Sequence, residues 1–378
     1  MSSQSINLYN QLAKHKLFNK TINFNLKRIK TALSKLGHPE RRLSNVIQII
    51  GSDGKFSVLR ALRFFIEGND QTVSTHVSPS LTDIRERFWM GKDYLSHSKI
   101  RDTIKIIEKL KIPLTIYEVL TLVFIINASR RNNDYCIQEA GALWRLDSNN
   151  VIDFPLKQIV VNINKQHLNF VKKKTLDEII NQKVGFLSQF TDIYIGKQKP
   201  YVLKKIKKIL KKNISHIKYS YSWRLIKEKN NFFYKDKKIK IKLNTKYIHS
   251  KGLLENLCLA INIALDLKIN KKTIIKALPK IRYAGRIDYL DKGKLSKKLF
   301  SEEKILIDGC HSEISGQNLA NYLKSLKIPI YGIWGMTKNK DPDLFIKQFK
   351  KIFKKIITIP IVNEPAAVSN KLLLKIAK

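Results

Sequence analysis

One short stretch of the chain combines glycine, lysine and serine in a pattern that binds phosphate. Residues 46–57 read Val-Ile-Gln-Ile-Ile-Gly-Ser-Asp-Gly-Lys-Phe-Ser, so a strand-forming run leads into a loop punctuated by glycine. Gly51 and Gly54 allow the backbone to turn with its N–H groups directed inward, which forms a concavity for phosphate oxygens. Lys55 can then reach the outer phosphates, and the Ser57 hydroxyl is placed to contact Mg²⁺. The stretch predicts a nucleoside triphosphate site.

The loop differs from the standard Walker pattern, which is longer and has no residue between the lysine and the hydroxyl residue. Here Phe56 intervenes. The alternative interpretation is an ordinary tight turn between a strand and a helix. The apolar spacing of residues 58–66 predicts a helix directly after the loop, and the N-terminus of that helix adds positive charge to the site. We therefore favour the phosphate site.

The composition indicates a folded protein of two domains. The chain has 378 residues, of which 43% are hydrophobic and 27% are charged, which is enough for two domains with cores. The longest apolar run, residues 117–128, is too short to span a bilayer and predicts a buried helix. No secretory leader pattern is visible, and the three scattered cysteines fit a reducing compartment. We therefore expect a cytoplasmic protein with no membrane contact.

The charge of the chain raises nucleic-acid binding as a possible function. Seventy-two basic against 30 acidic residues give a formal charge of +42, and such an excess is common in nucleic-acid-binding proteins. The lysines are spread along the whole chain, however, and accompany many Ile and Asn residues, which indicates a compositional bias. Runs such as 204–212 and 235–242 interleave lysine with Ile or Leu, so that one face is core and the other is solvated. We expect no specific nucleic-acid partner, although the charge should steer polyanionic substrates.

Strands and helices are predicted to alternate along the chain. After a first helix over 6–36, the predicted strands of the first part cover 46–50, 72–77, 135–140, 158–163 and 193–196, with a β-rich stretch over 215–248. The predicted helices of this part follow the loop and cover 98–110, 115–130, 175–187, 252–267 and 271–278. Beyond a break at 279–285, predicted strands over 286–290, 305–308, 328–334 and 356–362 alternate with helices. The pattern predicts parallel α/β sheets in two domains, residues 1–280 and 281–378.

Polar side chains follow several of these predicted strands. Ser78 comes after the strand at 72–77, Glu139 ends the next strand, and His167 follows the strand after that. Ligands of parallel sheets bind beyond the carboxyl ends of the strands, so these groups and Ser57 predict a magnesium site that faces the triphosphate. Taken singly, Glu139 could be a helix cap or a solvated charge, and His167 a surface imidazole.

A longer set of short motifs occurs in a fixed order from about residue 20 to residue 370. In chain order the motifs are Leu36-Gly37-His38-Pro39, Gly51–Ser57, Val77-Ser78-Pro79-Ser80-Leu81 with Glu86-Arg87, Thr115-Ile116-Tyr117-Glu118, Glu139-Ala140-Gly141, Arg145-Leu146-Asp147-Ser148-Asn149, His167, Thr175-Leu176, Lys183-Val184-Gly185, Gly285-Arg286, Asp308-Gly309-Cys310-His311 and Lys340-Asp341. This ordered set resembles the folylpolyglutamate synthase/dihydrofolate synthase family of the Mur ligase superfamily.

The resemblance implies an ATP-dependent ligase. Such an enzyme adds L-glutamate to 7,8-dihydropteroate, to the γ-carboxylate of reduced folates, or to both, through an acyl phosphate. The implied fold is a P-loop central domain with a parallel sheet and a smaller C-terminal Rossmann-like α/β domain, and closure of the two domains would exclude water. ATP and two Mg²⁺ ions are the implied cofactors. Small molecules are the implied partners, and we expect a monomer.

The site residues of the family carry over by motif position. The implied catalytic residues are Lys55, His167 and Lys183, the last of which corresponds to a lysine that is carbamylated in the family. The implied ATP contacts are Gly51, Asp53, Gly54, Lys55, Phe56, Ser57, Asn256, Arg286, Asp308 and His311. The implied metal ligands are Ser57, Ser78, Glu139 and His167. The implied pterin contacts are Thr115, Tyr117, Glu118, Arg145 and Asp147. For Lys183 taken alone, a solvated helix residue is the alternative.

Several positions differ from the family's motifs. Asp53 replaces Asn in the loop Gly-Thr-Asn-Gly-Lys-Gly-Ser, and its negative charge near the triphosphate is unfavourable unless it is paired. Gln166 stands where Asp usually precedes the histidine. The other departures are Phe56 for Gly, Ala142-Leu143-Trp144 for Leu-Gly-Gly, and Ser312 for Asn. We also expect a C-terminal domain that is shortened, either by reduction or because the sequence is a fragment.

Two other classes of function stay open from the sequence. A related Mur-type ligase could act on a cell-wall nucleotide, but no obvious UDP-binding domain precedes residue 46. A degenerate, non-catalytic relative or a basic nucleic-acid-binding ATPase is the other class. Failure to bind ATP with magnesium would indicate the degenerate relative, and salt-dependent retention on DNA would indicate the nucleic-acid-binding protein.

Overall fold

Helices and strands alternate along most of the chain and group into two units. The computed structural model of the protein describes residues 2–19, 23–362, 364 and 366–378. The first unit comprises Met1–Leu243 and Glu255–Ile281, and the second comprises Asn244–Leu254 and Arg282–Lys378. Each unit has a hydrophobic core of its own.

The first unit contains a large mixed set of elements. Its helices are α1 (Ser3–Lys14), α2 (Leu26–Lys35), α3 (Lys55–Glu67), α4 (His97–Glu108), α5 (Ile116–Ala128), α6 (Leu176–Val184), α7 (Pro200–Leu210), α8 (Lys251–Asp266, from Glu255 onward) and α9 (Lys271–Ala277). Its strands are β1 (Phe18–Asn19), β2 (Val46–Ile50), β3 (Val73–His76), β4 (Phe88–Met90), β5 (Leu114–Thr115), β6 (Tyr135–Glu139), β7 (Lys157–Val160), β8 (Asp192–Ile195), β9 (Ile217–Tyr219), β10 (Arg224–Glu228), β11 (Asn231–Lys235) and β12 (Lys240–Lys242). Short 3-10 turns lie at Pro39–Arg42, Ile84–Arg87, Leu168–Phe170, Ser220–Ser222 and Leu278–Lys280.

A seven-stranded sheet with the order β4-β3-β6-β2-β7-β8-β9 forms the centre of this unit. All of its pairings are parallel except β3 with β4. Every residue of β2, β3, β6 and β7 is buried, as expected for parallel strands covered on both faces. The connections that leave β2 and β6 run towards opposite edges of the sheet. A crevice therefore opens beyond the carboxyl ends of these two neighbouring strands.

The apolar run at 117–128 forms the buried helix that the sequence predicts. In α5 every residue from Glu118 to Ala128 is buried, and Phe124 is among the large side chains of the core. A capping box at Thr115 and Glu118 fixes the start of this helix. Across the described ranges no helix is both long and apolar enough to cross a membrane.

The single helix predicted over 6–36 is wrong. Two helices, α1 and α2, occupy this range, and between them β1 pairs in parallel with β5. Phe18 is buried in this pairing, and the Asn25 side chain accepts the Lys27 N–H at 2.7 Å to cap α2. The apolar spacing of the two helices is continuous enough to hide the break, which depends on a strand about a hundred residues away.

The second unit is smaller and also α/β. Its elements are β13 (Asp288–Tyr289), β14 (Leu306–Ile307), α10 (Glu313–Leu326), β15 (Tyr331–Trp334), α11 (Pro342–Ile346), β16 (Lys355–Thr358) and α12 (Asn370–Ala377), with 3-10 turns at Ser296–Lys298, Lys338–Lys340 and Lys347–Phe349. β15 and β16 pair in parallel, as predicted. β13 and β14, in contrast, form a short antiparallel ladder, so the predicted all-parallel pairing is wrong for these two strands.

An ion cluster ties the amino ends of β7 and β8 to the end of α8. The buried Lys157 ammonium lies 2.9 Å from Asp192 Oδ2 and 2.6 Å from Asp266 Oδ2. Lys218 and Tyr194 also donate to Asp266. Although burial alone would raise it, these hydrogen bonds hold the pKa of Asp266 below its usual range. The cluster thus joins four elements, β7, β8, β9 and α8, through charge at the edge opposite the crevice.

We expect Lys157→Met to lower the free energy of unfolding by about 2 kcal/mol at neutral pH, because Asp192 loses its buried cation and Asp266 keeps only Lys218. Since the folded pKa of Asp266 is depressed, this contribution is present above pH about 4 and is lost as the pH falls further. Urea unfolding at pH 7 and pH 3 measures both effects. Lys205→Met is the control, because the Lys205–Asp177 pair is exposed; an equal loss in both variants would contradict the prediction.

Candidate active site

The phosphate loop has the backbone geometry that its glycines predict. Gly51 and Gly54 have φ values of +142° and +97°, in the region that favours glycine. A Cβ at Gly51 would lie 3.1 Å from the carbonyl oxygens of Val161 and Asn162, and a Cβ at Gly54 would overlap the side chain of Asn256. The loop therefore packs against residues 161–162, which follow β7, and against α8. A larger residue does not fit at either glycine.

Lys55 opens helix α3 and lies over the loop. Its ammonium is 3.2 Å from the Ser52 carbonyl oxygen and 3.8 Å from Glu139 Oε1. Ser57 is buried in the first turn of the same helix, whereas Phe56 is half-buried. A lysine, a hydroxyl and the free N–H groups of a helix N-terminus therefore stand together at the crevice.

Glu139 and Ser78, at the ends of the neighbouring strands β6 and β3, are in contact. The Ser78 N–H donates to Glu139 Oε2 at 3.3 Å, and both Glu139 and Lys55 have little access to water. The sheet thus brings together Lys55, Glu139 and Ser78, which are far apart in sequence.

Arg87 is a member of this group that the sequence analysis used only as a motif match. Its guanidinium donates to Ser78 Oγ at 3.0 Å and to Tyr9 Oη at 2.8 Å, and the residue is 8% exposed. Burial, followed by the positive charge of Arg87, lowers the pKa of His76 to about 3. The Glu-Arg pair before β4 is the sequence signal that could have assigned Arg87 to the site.

His167 stands after β7 in a left-handed conformation, with φ of +60°. Its ring stacks on Phe170 at a centroid distance of 5.9 Å. No three His, Cys, Asp or Glu side chains converge on a metal position in the described part of the chain. Magnesium commonly uses one or two protein carboxylates together with substrate phosphates and waters. The acid Glu139 and the hydroxyls of Ser57 and Ser78 fit that requirement.

Lys183 lies beneath the phosphate loop rather than in solvent. It is 1% exposed, and its ammonium donates to the carbonyl oxygens of Gly51 at 2.8 Å and Ala142 at 2.5 Å. Burial, followed by the charge of Lys55, lowers the pKa of Lys183 to about 7, against the opposing charges of Asp147 and Asp53. The solvated-helix alternative is therefore wrong.

The segment after β6 is ordered by Asp147. This buried carboxylate accepts the N–H groups of Gly141 at 2.8 Å and Asn149 at 3.0 Å, and burial raises its pKa to about 6 against these hydrogen bonds. The Asn149 amide donates to Tyr117 Oη at 2.9 Å. Asp147 and Tyr117 both lie close enough to Gly141 to contact a Cβ placed there, so they form one wall.

Two of the remaining predicted pterin contacts differ in exposure: Glu118 is buried and Arg145 is exposed. Glu118 is committed to structure, because its carboxylate accepts the Thr115 N–H at 2.6 Å and pairs with Arg28 at 3.1 Å. Arg145 is exposed and its guanidinium lies 4.8 Å from the centre of the Phe186 ring.

The departures from the family motifs have structural explanations at two positions. Trp144 is fully buried in the first unit's core and its indole N–H donates to the Phe186 carbonyl at 3.2 Å. Asp53 accepts hydrogen bonds from the Asn164 and Gln166 amides, so its charge is paired.

Within the second unit, Arg286, Asp308 and His311 lie around the end of β14. Asp308 accepts the N–H groups of Ile287 and Cys310, both at 2.7 Å, and burial raises its pKa although Arg286 opposes the shift. Arg286 contacts the backbone beside Gly309. An adjacent cavity of about 760 Å³ is lined by Ile287 together with Tyr247, His249, Arg282 and Tyr289, and no motif in the sequence predicts it.

Comparison with known proteins finds relatives in sequence and in fold. No family model matches the chain. The chain is 26% identical over 191 residues to the dihydrofolate synthase/folylpolyglutamate synthase of Bacillus subtilis, a match that covers 48% of the chain and 44% of that relative. It is 25% identical over 332 residues to the protein of the same name from Buchnera aphidicola of Schizaphis graminum, covering 86% of the chain and 75% of the relative.

Two solved structures have the same fold. Escherichia coli FolC in complex with DHPP and ADP superposes with a TM-score of 0.86 at 19% identity, covering 100% of this chain and 88% of that one. A bifunctional folylpolyglutamate synthase/dihydrofolate synthase with Mn, AMPPNP and L-glutamate bound gives a TM-score of 0.83 at 18% identity, with 100% and 88% covered. In its ordered motifs, its sequence relatives and its fold, the chain is similar to proteins named folylpolyglutamate synthase/dihydrofolate synthase.

Proposed function

We propose that the protein is an ATP-dependent ligase that joins L-glutamate to 7,8-dihydropteroate, to the γ-carboxylate of reduced folates, or to both. The observation that carries the proposal is the placement of Lys55 and Arg87 beside Glu139, Ser78 and the phosphate loop. A reaction between two anions needs such a concentration of positive charge. The names of the relatives support the choice of substrates.

The proposed chemistry has two steps. An oxygen of the pterin-side carboxylate attacks the γ-phosphorus of ATP, ADP leaves, and an acyl phosphate forms. The amine of L-glutamate then attacks the acyl carbon, and the tetrahedral intermediate collapses to the amide with loss of phosphate and a proton. Lys55 and the loop N–H groups would hold the phosphates during the first step, and Arg87 would hold the reacting carboxylate near Ser78.

We propose Ser57, Ser78, Glu139 and His167 as the residues that hold divalent metal. Bound Mg²⁺ would neutralise charge on the phosphates of ATP. The contact between Ser78 and Glu139 supports their shared role, and Glu139 would exchange its contact with Lys55 for a metal contact. Two ions per site remain a proposal from the resemblance.

We also propose that Lys183 is carbamylated. Carbamate formation needs a neutral amine, which adds to CO₂ with loss of a proton, and a pKa near 7 leaves much of the Lys183 amine neutral at physiological pH. The alternative role is that the ammonium pins the Gly51 and Ala142 carbonyls together.

The other site residues complete the proposal. Gly51, Asp53, Gly54, Phe56 and Asn256 would form the wall of the phosphate site. Tyr117 and Asp147 would lie against the pterin, with Thr115, Glu118 and Arg145 at its border. Arg286, Asp308 and His311 would contact ATP. A monomeric state and a cytoplasmic location remain predictions from the sequence.

Phosphate release from ATP by the purified protein tests the proposed function. We expect release that requires magnesium, L-glutamate and either dihydropteroate or tetrahydrofolate, and the preferred pterin identifies the substrate. Release that needs neither glutamate nor a pterin would indicate a different ATPase and contradict the proposal.

Lys55→Ala should abolish ligation, because the charge over the phosphate loop is lost while the loop backbone is unchanged. Turnover in the phosphate-release assay and a circular dichroism spectrum measure activity and fold. Turnover retained at the wild-type rate would remove Lys55 from the phosphate site.

Arg87→Gln should lower kcat/KM for the pterin substrate by about 100-fold, because the buried guanidinium that would bind the reacting carboxylate is lost. Binding of Mg·ATP should change little. Arg85→Gln is the matched control, since Arg85 lies on the same turn but is largely exposed and pairs with Asp83. Equal effects of the two substitutions would contradict a role for Arg87.

The stability of the wild type relative to Lys183→Met should rise with pH from about 7 to about 10. Above pH 7 the folded state has lost the Lys183 proton while the unfolded state keeps it up to its usual pKa, so the unfolded state binds more protons. The slope is at most about 1.4 kcal/mol per pH unit. Urea unfolding of both proteins at four pH values measures it, and a constant difference would show that the pKa of Lys183 is not lowered.

A further inference from the structure

The phosphate loop is attached to the segment that leads to His167. The Ser52 N–H donates to the Asn162 carbonyl oxygen at 2.7 Å, and the Asn164 N–H donates to Ser52 Oγ at 3.1 Å. Asp53 and Asn162 also form an isolated antiparallel bridge. Two pieces of chain about 110 residues apart therefore run side by side at the crevice.

The carboxylate of Asp53 adds hydrogen bonds from the side chains of Asn164 and Gln166 to this attachment. Gln166 Nε2 lies 3.1 Å from Asp53 Oδ1 and 3.2 Å from Asp53 Oδ2, and the Asn164 amide also donates to Oδ2. A carboxylate accepts hydrogen bonds only, and an amide NH₂ supplies the donors that it needs. Charge-assisted bonds of this kind are among the stronger ones in proteins. The negative charge in the phosphate loop is thus held by amides from the other segment.

We infer that Asp53 and Gln166 form a clamp that fixes the phosphate loop to the His167 segment and so sets the affinity for Mg·ATP. Gln166 directly precedes His167, so the clamp acts on the backbone next to that histidine. Both are positioning residues, because they act through the loop and through His167. The relevance to Mg·ATP rests on the proposed function, whereas the clamp itself rests on the contacts.

The two residue types at these positions support the inference. This chain has an acid at position 53 and an amide at position 166. One donor and one acceptor satisfy each other in either order. Two carboxylates at this distance would repel, and two amides would form a weaker neutral bond. An acid at one of the two positions and an amide at the other is therefore the pairing that holds the clamp.

Isosteric exchange tests the clamp. The variants are Asp53→Asn, Gln166→Glu and the double variant D53N/Q166E, which moves the acid to position 166 and the amide to position 53. Asp177→Asn is the control, because it removes a carboxylate that is hydrogen-bonded at an exposed site. Amide hydrogen exchange of peptides 51–57 and 162–167 in the free protein, Mg·ATP binding and steady-state kinetics are measured for all five proteins at pH 8.

We expect Q166E to speed exchange in both peptides and to weaken Mg·ATP binding by at least about 10-fold, since two carboxylates then face each other. D53N should have a smaller effect, of about 3-fold. In the double variant, the exchange rates of both peptides and the Mg·ATP affinity should return to within about 3-fold of the wild type. The KM for the pterin should stay constant throughout, which a general loss of structure would not allow.

An exchange rate in the double variant as fast as in Q166E, or unchanged exchange in Q166E, would overturn the clamp. Recovered exchange without recovered Mg·ATP binding would overturn its link to the nucleotide. If the wild type fails to bind Mg·ATP, the proposed function is wrong, and hydrogen exchange in the free protein still decides whether the clamp exists.

Discussion

Positive charge held out of water at the carboxyl edge of the central sheet is the constraint on which the rest of the structure depends. Lys183 and Arg87 are almost fully buried, and Lys55 is nearly so. Removing a cation from water is costly unless polar groups replace its hydration. Carbonyl oxygens of the phosphate loop and of Ala142 do so for Lys183, and hydroxyls do so for Arg87. Their rigid placement requires a sheet that is buried on both faces.

The carboxylates of this region balance the cations without neutralising them. Glu139 lies 3.8 Å from Lys55 rather than in a tight bidentate pair, and Asp147 is satisfied by backbone N–H groups. Such an arrangement keeps the cations able to bind an incoming anion. It also explains the unusual pKa values of Lys183 and Asp147, because burial opposes charge on both groups more than their neighbours restore it.

The sequence predicted the parts of the molecule that depend on local pattern. The strand and loop at 46–57, the buried helix α5 and the order of the strands from 135 to 196 all agree with the structure. The break within 6–36 could not be predicted, because it depends on pairing of β1 with a distant strand. The lysine-rich run 204–212 was predicted to have one buried face but was not assigned to a helix or a strand, and neither α7 nor α12 was predicted.

In the candidate site too, motif positions could be predicted from the sequence, whereas the contacts that depend on the tertiary fold could not. Motif positions identified Lys183, yet its burial follows only from the contact of α6 with the loop. Glu118 carries a motif match, but the structure commits its carboxylate to a helix cap and to Arg28. The contacts of Arg87 with Ser78 and Tyr9 depend on the tertiary fold, and the sequence does not show them.

The attachment of the phosphate loop to residues 162–166 has a consequence for synthesis of the protein on the ribosome. The loop lies early in the chain, but its backbone partners come about 110 residues later, and β2 needs β6 and β7 on either side. Contacts over such separations form late and slowly. A nascent chain that ends before about residue 166 therefore lacks the groups that shape the loop. Nucleotide cannot be captured productively by an incomplete chain, and binding competence appears only after the central sheet has closed around β2.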